Sequence, residues 1–441
     1  MYLMTGRQKG TGSGKRFAGI AIPPDLKWSN FFNMYLATFI MSCLMILPAV
    51  LQPAFLKEII NIPEEQAGSI NAGLQSMSYI ATLLFVGLVG ILSDKVGRRI
   101  LAISGFVACG VFYIMFGYAQ DISLALGITS VKGQIFITYI MRFLVGMGLI
   151  TCYPQFIALV ADYTDTRDRG KGMALNGIMM GLGSLVVFLV LAQVARKTGL
   201  MSLFYVAGAI GFLGALISRL WLVDRMPKEK PEKLGIQEIY KIVSKSLPLK
   251  VSYFTTFIAR PDTSTIATFL IIWMVYAADK YGISQATARG GMVMGTMGLV
   301  SFIAFPAIGV LLDRWGRVPV LICGLISGGI GFCIAGVTDN PFSPVMYLCV
   351  AFMGLGIAGA VTGANTIASE VSPRPLLGSV LGGLNTMHPL GVLFFLQVGG
   401  LLFDKVGYNA PFMMKGIVNL AWGLSLFTIR KRVVLSKLEE K

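Results

Sequence analysis

A few side chains in otherwise apolar stretches can handle charge: Arg142, Arg260, Asp262 and His388, with the amides Gln155, Asn365 and Asn385. A charged group at the centre of a membrane helix costs about 2.5–3.5 kcal/mol on insertion scales, so each needs a reason to be there. Arginine keeps its charge and can hold an anion. Histidine takes and releases protons near neutral pH. This chemistry is binding and proton transfer. No nucleophile is paired with a base, no His/Cys cluster has metal-ligand spacing, and no Walker loop follows a strand. Neither an enzyme nor a bound cofactor or metal is expected.

Each residue also has a plainer role. Arg142 can serve as a hydrogen-bond hub for backbone carbonyls. His388 precedes Pro389 and can sit at a helix kink. Arg260-Pro261-Asp262 reads as an interfacial first turn with proline at the helix start. If the span starts earlier, Asp262 becomes a protonatable group and Arg260 an anion ligand. Asn71, Gln75, Tyr153, Gln155, Asn176, Asn365, Asn385 and Gln397 can line a cavity or bridge helices. Lys415 is expected to snorkel to the surface.

The elements that must position these residues are membrane spans. The 441 residues are 55% hydrophobic and 13% charged, whereas soluble domains carry about a quarter charged residues. Stretches of about 20 apolar residues can cross a bilayer. Twelve such spans are read at 31–56, 66–92, 100–119, 134–160, 172–194, 201–223, 252–278, 286–312, 318–337, 344–368, 376–402 and 409–429. The division is a tail (1–30), a six-helix bundle (31–223), a linker (224–251), a second bundle (252–429) and a tail (430–441). In the linker, Ile236, Ile239, Tyr240, Val243 and Leu247 fall on one helical face, predicting an amphipathic helix on the membrane surface.

The +16 net charge is spread over alternating loops, which argues against a nucleic-acid partner. Most Lys and Arg fall on the side of the termini. The other side receives Lys57, Lys132, Arg196, Lys197, Lys280, Arg289 and Lys405. That asymmetry puts both termini in the cytoplasm. The first apolar run is too long for a signal-peptide core. Gly10–Lys15 mimics a phosphate loop, but Arg16 replaces the required Ser/Thr. All six cysteines lie in apolar stretches, so no disulfide framework is indicated.

One phrase is written twice. Gly90-Ile-Leu-Ser-Asp94-Lys95-Val-Gly97-Arg98 recurs as Gly309-Val-Leu-Leu-Asp313-Arg314-Trp-Gly316-Arg317. Each copy joins two apolar stretches, so a helix must stop, reverse and restart, with glycine supplying the turn. Asp94 and Asp313 are expected to face a neighbouring helix N-terminus or a loop arginine. A third spelling, Gly400-Leu-Leu-Phe-Asp404-Lys405-Val-Gly407, falls on the outer side and reads as a helix-ending turn without a gating role.

The doubled phrase resembles the signature of the major facilitator superfamily, Gly-x-x-x-Asp-(Arg/Lys)-x-Gly-(Arg/Lys)-(Arg/Lys). The first copy is complete through Arg99, while the second has Val318 at its last position. A second signature, Arg-x-x-x-Gly-x-Gly, appears as Arg142-Phe-Leu-Val-Gly146-Met-Gly148. The resemblance spans essentially the whole chain. It implies an all-α polytopic fold of twelve transmembrane helices in two six-helix halves.

The resemblance also implies a cytoplasmic gate built from Asp94, Arg98, Asp162 and Arg169 in the first half and Asp313, Arg317, Glu370 and Arg374 in the second. The plainer alternative is that these charges only solvate tight hairpins. A proton-coupling role for Arg142 is likewise implied by the resemblance.

The expected function is secondary active transport of a small solute by alternating access. Proton drive and, from the two membrane arginines, an anionic substrate are expected. Proton-driven efflux of drugs or lipophilic cations is the alternative, although span five lacks the Gly-Pro signature of drug antiporters. A non-transporting sensor or scaffold is a further one. The expected partners are the solute, protons and membrane lipids. The expected state is a monomer in a bacterial inner membrane or one derived from it.

Overall fold

The structure, a computed structural model, describes residues 16–165, 168–225, 236–373 and 376–433. Gly10–Lys15, Arg167, Arg374, the middle of the linker and the end of the C-terminal tail lie outside the described residues.

Among the described residues, eleven helices are long and apolar enough to cross a membrane. Spans one to six are Trp28–Glu58, Glu64–Val96, Arg98–Gly117, Val131–Tyr163, Arg169–Val194 and Leu200–Trp221. Spans eight to eleven are Ala286–Trp315, Arg317–Gly336, Val345–Val371 and Leu377–Lys405. Span twelve starts at Ala410. Span seven completes the twelve crossings in two pieces, Leu247–Ala259 and Asp262–Ala277, broken at Arg260-Pro261. Neither piece alone reaches the roughly 20 residues a bilayer needs. The span begins at Leu247, earlier than expected at 252, so Asp262 lies deep within it and is not in an interfacial first turn.

Local sequence explains the helix ends. Glu64 and Glu65 occupy the first turn of span two, where negative charge favours the helix N-terminus. Gly97 (φ 107°) and Gly316 (φ 91°) end spans two and eight in a conformation closed to most side chains. Ser130 caps span four, accepting the Gly133 N–H at 3.2 Å. Span five carries a π-turn at Val187–Leu191. A short helix, Ala119–Ala125, follows span three and was not expected from composition. Spans nine and ten approach closely, and a Cβ on Gly356 would fall 2.5 Å from the Gly328 Cα.

The linker helix runs over Ile236–Lys245. Ile242 and Val243 pack against the core of the second half, whereas Tyr240 is 71% exposed. The expected apolar face is therefore narrower than the spacing suggested. Ahead of span one, a small hairpin pairs Arg16–Phe17 with Ile20–Ala21. Its Phe17 stacks on Tyr35 with centroids 5.7 Å apart.

The halves meet through spans two and eleven, five and eight, and one and seven. Every cross-half hydrogen bond between described residues lies from the middle of the molecule toward the face away from the doubled phrase. Lys57 Nζ donates to the Val275 carbonyl (3.0 Å) and to Asp279 (2.7 Å). Tyr276 donates to the Ile62 carbonyl, Gln397 to Ser76 and Gln193 to the Ala288 carbonyl. On the phrase face no hydrogen bond between described residues crosses from one half to the other. A Cβ added to Gly90, Gly309, Gly378 or Gly382 would meet nothing within 4 Å.

The third copy of the phrase corrects the sequence reading. Asp404 accepts the backbone N–H groups of Gly68 (2.8 Å) and Ser69 (2.9 Å) in the other half. It is a bridge across the seam, where the sequence suggested only a helix end.

Candidate functional site

A cavity lies at the seam, bounded by spans one, two, four, five and seven. Its wall includes Gln75, Ser78, Tyr79, Arg142, Tyr153, Thr263 and Ser264, with apolar surface from Met45, Ile46, Leu149 and Phe188. Such midplane sites between repeats are where transporters hold substrates and coupling ions.

Arg142 is the cavity's charge. It is 1% exposed and donates Nε to Gln52 Oε1 (2.5 Å), Nη1 to Ser78 Oγ (2.5 Å) and Nη2 to Gln75 Oε1 (3.2 Å). All three acceptors are neutral, so it is neither a hub for carbonyls nor one half of an ion pair. Span four supplies the arginine, and spans one and two supply its cage.

Arg260 of the second half stands one turn before the cavity-lining Thr263 and Ser264 and is not itself part of the wall. Its Nη1 donates to Asn385 Oδ1 at 2.5 Å. Among the described residues neither arginine has a carboxylate within 4.0 Å. Tyr79 bridges the halves: its hydroxyl lies 2.7 Å from Ser264 Oγ, and its ring meets His388 edge-on at 5.7 Å between centroids.

Asp262 is turned away from this cavity. It is 2% exposed and pairs with Lys415 Nζ at 2.7 Å, while Asn419 donates to its other oxygen at 2.8 Å. Lys415 is fully buried, which corrects its expected surface position. Its ammonium donates to the Ile258 carbonyl (2.6 Å) at the helix break and lies 3.8 Å from the Phe395 ring centroid. Pro261 has no N–H for the Phe257 carbonyl four residues back, and the ammonium takes the neighbouring Ile258 carbonyl at the same break.

Gln155 lies outside the cavity wall. It accepts from Ser93 (2.5 Å) and donates to the Thr151 carbonyl (3.2 Å), bridging spans two and four. Asn365 is half-buried in span ten, away from the cavity, and Asn385 serves Arg260.

The phrase-face charges pair within each half. Arg98 pairs with Asp162, their side chains only 13% and 5% exposed. Around them Arg225 donates to the Asp162 carbonyl (3.0 Å), Arg169 to that of Ala161 (3.4 Å), and the Arg99 N–H to Asp224 (2.8 Å). In the second half Arg317 donates to Glu370 (2.8 Å) and the Leu312 carbonyl (2.7 Å), with Asp313 at 3.5 Å. Asp94 is exposed and has no ion pair among the described residues. Among the described residues it accepts no hydrogen bond from a helix N-terminus and meets no loop arginine.

The family model described as Major Facilitator Superfamily matches residues 34–278 and 252–441. The chain belongs to this superfamily. The family and its fold are those of transporters and not of enzymes. Within the superfamily the chain is 30% identical to magnetosome protein MamH of Paramagnetospirillum magneticum, over 93% of this chain and 94% of that protein. It is 27% identical to magnetosome protein MamZ of Magnetospirillum gryphiswaldense, spanning 92% of this chain but only 62% of that longer protein. It is 23% identical to the multi-drug resistance efflux pump PmrA of Streptococcus pneumoniae, covering 77% and 81%. A D-xylose-proton symporter shares the fold with a TM-score of 0.71 at 16% identity, covering 92% of this chain and 99% of that one.

Sequence reasoning missed Gln52, Ser78, Ser264 and Asn419. Gln52 carried a signal, as a lone amide between Leu51 and Pro53 in an apolar run. The others are small or common polar residues whose importance lies in what they face.

Proposed function

We propose that the protein is a proton-coupled secondary transporter of a small organic anion, working by alternating access as a monomer. The observation that carries this reading is Arg142. It is a buried cation on the cavity wall whose partners are all neutral, beside a seam joined on one face only. A buried charge without a counter-ion is costly, and an anionic solute would supply one. Arg260 adds a second positive group on the other half.

His388 is the group we assign to the proton, because its contact with Tyr79 lies on the seam that must part. The gate is assigned to Arg98–Asp162 and Asp313–Arg317–Glu370, with Arg169, Arg374 and the exposed Asp94 as further members. Lys and Arg asymmetry supports cytoplasmic termini, which makes the described conformation open to the cytoplasm. The relatives named as magnetosome proteins support a place in a magnetosome membrane or the inner membrane it derives from.

Efflux of lipophilic cations is the second reading, favoured by the likeness to PmrA. It would need a free acid in the cavity, and Asp262 is already held by Lys415.

Uptake into proteoliposomes, with and without an inward proton gradient, tests the proposal. A panel of organic anions and lipophilic cations is offered as cargo. Gradient-stimulated flux of anions is expected, and it falls when His388 is replaced by Gln. Gradient-independent flux overturns proton coupling, and cation flux alone overturns the anion reading.

A further inference from the structure

The neutral cage of Arg142 has a fixed direction. The Thr268 carbonyl in span seven can only accept, so the Asn71 amide NH2 faces it at 3.0 Å. Asn71 Oδ1 then faces Gln52, whose Nε2 donates to it at 3.3 Å. Gln52 Oε1 is thereby turned to Arg142 Nε–H. A backbone carbonyl in the second half thus orients two amides in the first, because each link has one donor end and one acceptor end.

A guanidinium carries five N–H donors. Gln52, Ser78 and Gln75 take one each, leaving two. A single carboxylate accepts two such donors side by side. A glutamate at position 52 or 75 has nearly the size of glutamine and would occupy the cation permanently. Apolar side chains of Ile46, Leu149 and Phe188 line the same space, and Tyr79 and Ser264 add hydroxyls.

We propose that Gln52 and Gln75 determine the charge selectivity of the cavity. They anchor Arg142 without neutralising it, so that the site takes a monocarboxylate with an apolar body. This rests on the anion reading above and adds the ligand class and the two residues that enforce it. Gln52 has a second consequence. A ligand that draws the guanidinium away loosens Gln52 from Arg142, and the chain through Asn71 carries that change to span seven across the seam.

The test uses purified full-length protein in detergent and follows thermal unfolding at fixed pH and ionic strength. The probes are benzoate and its neutral analogue benzamide. Benzoate is expected to raise the Tm of the wild type and benzamide to leave it unchanged. Gln52→Glu and Gln75→Glu should each weaken benzoate binding by about tenfold or more, a loss of about 1.4 kcal/mol or more. Gln75→Leu removes an acceptor without adding charge and should weaken benzoate binding clearly less than Gln75→Glu does. If Gln52→Glu does not fold, Gln75→Glu carries the test, since Gln75 stands outside the Asn71 chain. A glutamate variant that binds benzoate as the wild type does overturns the selectivity proposal alone. A wild type indifferent to benzoate, or equally stabilised by benzamide, overturns the anion reading and this proposal with it.

Discussion

Asp404 and Ser69 belong to opposite halves, and the Asp404 carboxylate accepts the Ser69 N–H at 2.9 Å while its other oxygen holds the Gly68 N–H at 2.8 Å. The carboxylate rests against the second turn of span two and accepts two successive backbone N–H groups there. Close contact surrounds it: a Cβ on Gly400 would lie 2.9 Å from the Ser69 Cα. This bridge helps to keep the face away from the doubled phrase closed.

Asp404→Asn therefore favours opening of that face. Hydrogen bonds to a charged group contribute about 1.5–3 kcal/mol, so even partial loss shifts the open-to-closed ratio by about tenfold. Accessibility of a cysteine placed at Ile62, which is buried on that face beside Tyr276 of the other half, to a membrane-impermeant maleimide measures the shift. Unchanged labelling would reduce Asp404 to a helix end.

The Arg98–Asp162 pair is mostly shielded, whereas Asp94 is exposed. Asp162→Asn is expected to cost about 3 kcal/mol, because it strands a shielded cation. Asp94→Asn should stay within about 0.5 kcal/mol, as exposed substitutions do. Thermal unfolding of both variants checks the contrast, and equal losses would contradict it.

Asp262 and Lys415 are both buried and satisfy each other at the break in span seven. Asp262→Asn or Lys415→Met alone should cost about 3–5 kcal/mol. The double change Asp262→Leu with Lys415→Met should recover most of that, since apolar replacement of a buried pair is often tolerated. Gradient-driven flux in the double variant would match an architectural pair. Its specific loss, with stability recovered, would make Asp262 a coupling group.

The N-terminal hairpin is tied down by an acid outside the spans. Asp168 accepts Lys171 at 2.8 Å and the Ala21 N–H at 3.0 Å, and these contacts hold its carboxyl below the ordinary carboxylate value. Because the folded state favours the ionised form, the tie is present above the unfolded pKa of about 4 and is lost as pH falls below it. Hydrogen exchange at the Ala21 amide should accelerate over that range in the wild type and be fast throughout in Asp168→Ala. A pH-independent Ala21 amide in the wild type would contradict the tie.

The fold was legible because its signals are periodic and repeated. Apolar stretches mark the crossings, and Gly97 and Gly316 mark equivalent reversals. The site was legible only in part. Arg142 stands out as a charge in an apolar run, but the neutrality of its cage depends on which residues of spans one and two face span four. Lys415 looked interfacial because it enters span twelve by about one turn. Its burial follows from a partner 153 positions away in sequence, at a break whose depth depended on where span seven begins. Asp404 repeats the signature spelling, yet its role depends on the facing turn of span two, which sequence does not display.

In the proposed cycle the halves rock about the Arg142 cavity, closing one face as the other opens. Paired spin labels test it most directly, on the full chain in liposomes with native cysteines replaced. One pair, at Val96 and Trp315, reports the phrase face, and another, at Asn61 and Val406, the opposite face. Two distance populations are expected at each face, changing reciprocally, with Asp404→Asn lengthening the second pair while shortening the first. A single unchanging distance at both faces, or both faces widening together, would contradict it.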